Sequence, residues 1–256
     1  LREMLFSDVE LSYVANNVSL LSSHMIVDPK RMALRAATDT TEGDLLLIVN
    51  GTNTTGYRAS STGFGGTITA FMLNRPQQIV APSSFTTDGD FFDVGVDLDD
   101  IYVITKRTVS SATKYYVELF DEDRTTDAAI QYYNSPASPD QALPGSATAG
   151  SLSHLEGKTV KVIRDDIVDT DQTVSSGQVT LGGTPTSYAE VGLDYTVTVK
   201  TQPFEPRLSS GAVQSQRRRI LEVSPVLFRS QNITINGREV PLQSLPLSGA
   251  GGVTTF

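Results

Sequence analysis

The chain has 256 residues, a formal net charge of −9, no cysteine, no tryptophan and two histidines. The lack of cysteine excludes disulfides, thiolate nucleophiles and thiolate zinc sites. The negative charge argues against a nucleic-acid or anionic-membrane ligand, because basic patches are what attract polyanions.

The first predicted element is one short helix near the N-terminus. Apolar residues recur at helical spacing between Val14 and Met25, and Pro29 closes the segment. The longest apolar run lies further on, at residues 45–49, and is far shorter than the about 20 residues that a membrane-spanning helix needs. No membrane span is therefore predicted.

Beyond this helix the sequence reads as short strands, rich in β-branched and aromatic residues and bounded by Gly, Asn, Asp, Ser or Pro. The pairs Asn50-Gly51 and Asp88-Gly89 suit hairpin turns. These features predict an all-β protein with an antiparallel meander of the propeller-blade type, although no repeat of fixed period indicates a complete propeller. The predicted strands are 31–36, 44–50, 66–73, 77–81, 90–97, 100–107 and 113–120.

The second half begins after a segment, 134–150, that has three prolines, many small residues and no periodicity. This composition is typical of a linker. Strands are predicted beyond it at 159–165, 178–181, 187–191 and 194–201, followed by an Asn236-Gly237 turn. The predicted division is a blade region at 1–133, the linker, a small β-sandwich or barrel-like module at 151–210, and return strands with a mobile tail at 211–256.

Residues that carry chemistry are scarce. His24 and His154 are the only imidazoles, and the sequence has no G-x-S-x-G elbow, phosphate loop, dinucleotide fingerprint or zinc-binding helix. We therefore expect a protein that is not an enzyme and that binds no metal or cofactor.

One acidic loop is a candidate site. Asp165, Asp166, Asp169 and Asp171 could surround a hard cation such as Ca²⁺, which prefers carboxylate oxygens on a flexible loop, or could contact a partner. The spacing lacks the glycine and the final glutamate of an EF-hand, so a solvated turn is the alternative.

Two further groups are candidates for interfaces. Arg217, Arg218 and Arg219 form the only basic run and could bind an acidic partner surface or a neighbouring subunit, or could face water. His154 and Glu156 belong to the turn before the strand at 159–165, which we expect to define the fold of the module and to contribute to an interface.

Several segments of the chain resemble the C-terminal region of the tail nozzle proteins of short-tailed phages, also called tail tubular protein B or phage stabilisation proteins. The blade region is similar through DIYVITKRTVSSATKYYVELFDED (100–123). The chain departs from the family in its long acidic stretch at 164–172 and in lacking the early blades. The other matching segments are LSHLEGKTVKVIRD (152–165), VSSGQVTL (174–181), VGLDYTVTVKTQPFEP (191–206) and RRRILEVSPVLFRS (217–230).

The resemblance implies a structural protein of the virion, in the phage tail. Copies would form a homo-oligomeric ring, a hexamer in this family, below the portal and adaptor proteins and above a tail fibre or plug protein. DNA would pass through the lumen without specific binding, and no membrane would be involved. The missing early blades and the start at Leu1 also lead us to expect that the chain is a piece of a longer protein.

Two other functions stay open. Linked β-modules with acidic loops also suit a carbohydrate-binding or adhesin module. A Ca²⁺-dependent glycosidase is a weaker third alternative, because no particular pair among the carboxylates is selected by the sequence.

Overall fold

The structure is a computed structural model, and strands account for 51% of its described residues against 3% in helical turns, which confirms the all-β prediction. It describes residues 1–38, 42–53, 63–77, 79–121, 123–137, 139–201, 207–208, 211–212, 220, 222–226 and 233–240. The strands are β1 (Arg2–Ser7), β2 (Ser12–Asn17), β3 (Pro29–Arg35), β4 (Asp44–Asn50), β5 (Ile68–Asn74), β6 (Ile79–Phe85), β7 (Asp90–Asp97), β8 (Asp100–Val109), β9 (Ala112–Phe120), β10 (Asp127–Tyr133), β11 (Gln141–Ala142), β12 (Thr148–Ala149), β13 (Thr159–Arg164), β14 (Ile167–Val168), β15 (Gln172–Thr173), β16 (Val179–Thr180), β17 (Tyr188–Leu193), β18 (Arg207–Leu208), β19 (Gly211–Ala212), β20 (Thr234–Ile235) and β21 (Arg238–Glu239).

The predicted N-terminal helix is wrong. β1 and β2 form an antiparallel hairpin in which Val14 lies opposite Leu5, and only a 3-10 turn at Ser23–Met25 follows. The helical spacing of a few apolar residues is a weak preference, and pairing with β1 overrides it for the β-branched and aromatic residues of β2.

Two antiparallel meanders follow, and they confirm the order of the predicted strands. β3, β4, β5 and β6 form a four-stranded sheet, called here the first sheet, and β7, β8 and β9 form a three-stranded second sheet. The sheets pack face to face, with Leu47 and Val49 of β4 against Val94 and Val103. No closed barrel or propeller is found among the described residues.

The central strand β4 is buried on both faces. Leu47 points toward the second sheet, whereas Leu46 and Ile48 pack with Phe71 on the other face, which residues of the N-terminal segment cover. A strand that is covered on both sides has no solvent-facing positions, so polar and apolar residues need not alternate along it. This explains the continuous apolar run at 45–49.

The Asn50-Gly51 pair does not form the predicted hairpin turn. Asn50 is completely buried, and its side-chain amide binds Val27 N–H at 3.1 Å, the Met25 carbonyl at 3.0 Å and the Thr69 hydroxyl at 2.9 Å. The amide therefore fastens the incoming chain to the end of the first sheet. Asp88-Gly89 does turn the chain, with Gly89 at φ 117°, but it leads from β6 in one sheet to β7 in the other.

The first sheet ends in an edge strand. β6 pairs with β5 alone among the described strands, and all seven of its residues are exposed. It carries Pro82 opposite Phe71. Proline has no N–H to offer a further strand, so its place at an edge fits its chemistry.

Strands β10 to β17 build a second unit around its own core, whereas β18 pairs only with β19 and β20 only with β21. Its six-stranded sheet has the order β11-β10-β17-β13-β14, with β15 also pairing with β13, and β12 pairs separately with β16. The core residues are Tyr132, Ala149, Leu152, Leu155, Val160, Val162, Val174, Val179, Leu181, Ala189, Val191 and Leu193.

The predicted linker segment takes part in this unit. β11 and β12 both lie inside 134–150, β11 pairs in parallel with β10, and Ala149 is in the core. The segment therefore contributes two short strands and one core residue, although most of its described side chains stay exposed or half-buried.

The C-terminal predictions have mixed outcomes. No strand forms at 194–201, where every side chain is exposed, because β-propensity needs a partner strand and none pairs there among the described residues. The Asn236-Gly237 turn is confirmed, with both residues at positive φ between β20 and β21. The predicted tail, the last fourteen residues of the chain, lies outside the described residues.

Candidate functional site

The turn that contains His154 and Glu156 is held by specific hydrogen bonds. The Glu156 carboxylate accepts the Ser176 N–H at 2.9 Å and the Gly177 N–H at 2.7 Å. Both donors have positive φ, at 55° and 69°, so their N–H groups converge on one acceptor. Glu156 thus fixes a tight turn within the second unit.

His154 connects that turn to the rest of the molecule. Its Nε2 lies 2.9 Å from the Ala128 carbonyl, which requires that this nitrogen carry the proton and donate. The ring also meets Tyr116 of β9 edge to face, with centroids 6.2 Å apart. These contacts give the imidazole a structural role between the second sheet and the second unit.

Asp165 is saturated with donors from its own chain. Its carboxylate accepts the backbone N–H groups of Thr186, Ser187 and Tyr188 at 2.8, 2.8 and 3.1 Å, together with the Ser187 hydroxyl at 2.9 Å. Desolvation raises the pKa of Asp165, but the hydrogen bonds outweigh it and hold the pKa well below its ordinary value. Asp165 therefore closes the loop before β17.

The other acidic residues of the predicted loop do not converge on one point. Asp169 accepts the Gly182 N–H at 2.8 Å and pairs with Arg164 at 3.3 Å. Asp171 pairs with Lys161 at 2.9 Å, and Asp166 is exposed at φ 64°. In the part of the chain that the structure describes, no three His, Cys, Asp or Glu side chains are grouped to hold a metal ion.

Arg217, Arg218 and Arg219 lie outside the described residues. Their part in an interface stays a prediction.

Two buried polar clusters were missed by the sequence analysis. Beneath the second sheet, Arg107 is buried and binds Glu118 through two nitrogens. In the second unit, Arg124 binds Asp140 through two nitrogens at 2.8 and 2.9 Å. The hydrogen bonds that Arg124 donates to Asp140, and also to Asp121, raise the pKa of Arg124 above its ordinary value despite its partial burial.

The buried carboxylate of Glu190 is the centre of the second cluster. It accepts the Thr126 hydroxyl at 2.7 Å, the Thr125 N–H and hydroxyl at 2.9 Å each, the Gln131 amide at 2.9 Å, and the Tyr188 hydroxyl. Burial raises the pKa of Glu190, but these donors outweigh it and lower the pKa below its ordinary value. With every oxygen engaged, Glu190 joins β17 to the entrance of β10.

A shallow cleft of about 410 Å³ lies between the connection from β6 to β7, at residues 86–88, and the second unit. Four of its polar groups bind one another: Lys158 pairs with Asp88 at 2.8 Å, and the Thr87 hydroxyl donates to Asp127 at 2.8 Å. Tyr195, which is half exposed, lies at its rim. The cleft offers hydroxyl and carboxylate groups beside one aromatic ring.

The second sheet also has an apolar face that no described residue of the chain covers. Paired residues of β8 and β9 share this side, including Tyr102 opposite Leu119 and Ile104 opposite Val117. Tyr115 meets Phe92 edge to face on it, with ring centroids 5.3 Å apart. Together these six residues form the outer sheet face, and an apolar face of this kind is typical of a contact surface.

No protein-family model and no curated protein sequence matches this chain. Among the described residues, no helix has both the length and the apolar character that crossing a membrane requires.

Proposed function

We propose that this chain is a structural protein of a phage tail, part of a nozzle in which copies assemble into a ring around a passage for DNA. The observation that carries the proposal is the face-to-face packing of two antiparallel meanders, the four-stranded first sheet and the three-stranded second sheet. Successive propeller blades pack in this manner. The small module with its LSHLEGKTV turn follows them, in the order that the resemblance implies.

The use of the polar residues supports a structural rather than a catalytic role. The carboxylates of Glu156, Asp165 and Glu190 accept hydrogen bonds from their own chain. A general acid or base needs a reacting atom within hydrogen-bonding reach, and a carboxylate saturated by internal donors is poorly placed to provide that. These residues stabilise turns and junctions, as a load-carrying ring component requires.

The net charge of −9 fits the passage of DNA. A basic wall would bind phosphates and slow the movement of the duplex, whereas an acidic wall leaves it hydrated. In the assembled ring we expect Asp and Glu to outnumber Lys and Arg along the lumen. A basic lumen would contradict this part of the proposal.

Negative-stain electron microscopy of the purified chain tests the proposal directly. We expect rings of about six copies with a central opening, since head-to-tail contacts that close produce cyclic assemblies. If the purified chain stays monomeric at every concentration, or forms an open filament, the result would argue against the nozzle. The portal and adaptor proteins above, and a fibre or plug below, are the partners proposed for the ring.

The cleft supports one second candidate, a carbohydrate-binding or adhesin module. The cleft is also lined by Thr86, Thr159, Thr196, Asp194 and Tyr195, whose hydroxyls, carboxylate and ring are groups that can bind sugar hydroxyls and a sugar face. Glycan-array binding and thermal shift, each with and without Ca²⁺, test this function. Binding that is lost in Tyr195→Ala but kept in Val226→Ala, at an exposed residue elsewhere, would favour it over the nozzle.

A further inference from the structure

Two exposed apolar surfaces lie on opposite sides of the first sheet. On one side the second sheet packs on Leu47 and Val49 and turns its outer sheet face to solvent. On the other side Leu1 and Val18, which flank the β1–β2 hairpin, pack against the cluster that contains Phe71. The hairpin and the outer sheet face are thus separated by the first sheet, so they do not reach each other within one chain.

The hairpin presents an apolar surface of its own. Phe6 lies opposite Tyr13 and Met4 opposite Ala15 on one side of the hairpin, and these four residues are the hairpin face. Their side chains are exposed, to 66% at Met4 and 69% at Tyr13, and the Phe6 and Tyr13 rings meet edge to face at 5.5 Å. The other side of the hairpin turns toward the body, where Glu3 pairs with Arg75.

Charges border the hairpin face at both ends. Asp8 and Glu10 are exposed in the turn between β1 and β2, next to the Phe6 and Tyr13 pair. Arg2 is exposed at the opposite end, where one of its nitrogens lies 3.4 Å from the Ala15 carbonyl. Along the hairpin, from the β1–β2 turn toward the N-terminus, acidic residues therefore come first, then the apolar hairpin face, and then a basic residue.

The outer sheet face also has charged residues at both ends. Lys106 lies opposite Tyr115 near the β8–β9 turn, with its ammonium 3.9 Å from Asp90 and both side chains partly exposed. Asp100 lies at the other end of β8 with Asp97 opposite it. Val117, in the middle, is 72% exposed. The outer sheet face therefore has one cation, Lys106 beside Asp90, at one end and the carboxylates of Asp97 and Asp100 at the other. Lys106 can oppose the acidic end of the hairpin face, and the two carboxylates can oppose Arg2.

We propose that the hairpin face of one copy docks on the outer sheet face of a second copy of this chain. In this contact Phe6 and Tyr13 cover Tyr115 and Val117, with the Asp8 and Glu10 end over Lys106. The contact is head to tail, because it joins two different surfaces, and repeated copies close a ring if the rotation between them is suitable. The inference rests on the proposed ring, for which it names the subunit interface.

Two variants with one defective surface each provide the test. The hairpin variant carries Phe6→Ser and Tyr13→Ser, and the sheet variant carries Tyr115→Ser and Val117→Ser. All four residues are exposed, so folding should be retained, which circular dichroism checks. Val226→Ser, at a valine that is 99% exposed elsewhere, is the matched control.

Sedimentation velocity then measures assembly of the full chain at concentrations where the wild type self-associates. Each variant alone should associate at least about tenfold more weakly than the wild type, and an equimolar mixture should form a heterodimer and nothing larger. The control should assemble as the wild type does. A mixture that stays monomeric, or variants that assemble normally, would overturn the proposed contact.

Charge reversal tests the register of the contact. Lys106→Glu should weaken assembly, and adding Asp8→Lys and Glu10→Lys should restore it, because opposite charges would again face each other. Failure of the triple variant to recover would overturn the stated register. If the sheet variant forms the same rings as the wild type, this interface is refuted but the proposed ring is not. If the wild type does not assemble at all, the proposed ring is refuted as well.

Discussion

Arg107 and Glu118 form a two-pronged ion pair on the inner side of the second sheet. Nε of Arg107 lies 3.1 Å from Oε1 of Glu118, and Nη2 lies 2.8 Å from Oε2. The remaining terminal nitrogen of Arg107 donates to the Asp88 carbonyl at 2.8 Å. With its side chain 1% exposed, the guanidinium relies on these partners in place of water.

Glu118→Ala should lower the free energy of unfolding by about 3 kcal/mol, because the buried guanidinium loses its two-pronged partner and keeps only the Asp127 carboxylate, 3.9 Å from Nη1. Urea denaturation measures the change. Asp171→Ala, which removes the exposed pair with Lys161, is the control and should cost about 0–1 kcal/mol. Equal losses in the two variants would show that burial of Arg107 is not what makes its ion pair important.

Glu190→Gln should destabilise the second unit at neutral pH by about 3 kcal/mol, because the amide cannot accept from all the donors that converge on the carboxylate. The pH dependence has a definite sign. The folded pKa lies below the ordinary value of 4.5, so the carboxylate contributes its full stability above that pH, and the contribution is lost as the pH falls toward the folded pKa.

Urea denaturation of both proteins between pH 7 and pH 3 measures this effect. The wild type should lose stability below about pH 4.5, and the difference from Glu190→Gln should shrink over that range. Asp123→Asn, at an exposed carboxylate, controls for general acid effects. A constant difference from pH 7 to pH 3 would contradict the role of the ionised Glu190.

Gly89→Ala should destabilise the protein by about 3 kcal/mol, since Gly89 has φ 117° and a Cβ there would lie 2.2 Å from the Lys106 carbonyl oxygen. Gly95→Ala is the matched control in β7, where a Cβ meets nothing within 4 Å. That change should be neutral or slightly stabilising. Thermal unfolding of both variants checks the contrast, and similar melting temperatures would refute it.

Asp165→Asn should reduce stability by about 1 kcal/mol, because a side-chain amide accepts hydrogen bonds from the loop through one oxygen only. Since internal donors occupy the carboxylate, added Ca²⁺ should not raise the melting temperature of the wild type. Thermal shift with and without millimolar Ca²⁺ measures both effects. A rise in the wild type that disappears in Asp165→Asn would instead establish the cation site predicted for this loop.

The strands and their order could be predicted largely from the sequence. β4 and β7 coincide with the predicted ranges 44–50 and 90–97, because compact apolar runs bounded by polar residues and glycine specify strands locally. The errors lie where partners decide the outcome. β2 was mistaken for a helix because β1 was not recognised, and 194–201 has strand residues but no strand to pair with.

The polar clusters could not be predicted, since each depends on contacts between distant parts of the chain. Glu190 lies 65 residues from Thr125 in sequence, and Asn50 lies 25 from Met25. A weak signal existed in β8, where Arg107 falls on the same alternation as the apolar residues Ile101 and Val103. A charged residue on a core-facing position predicts a buried partner, although it does not say which.

Pro82 in the edge strand β6 limits how copies of this protein can associate through the first sheet. A neighbour that tried to extend the sheet along β6 would find no N–H at Pro82 and an interrupted ladder. Pairing of strands from successive copies, as in a fibril, is therefore disfavoured at β6. Association through sheet faces has no such obstacle, so Pro82 directs any contact between copies away from this edge and toward the faces of the sheets.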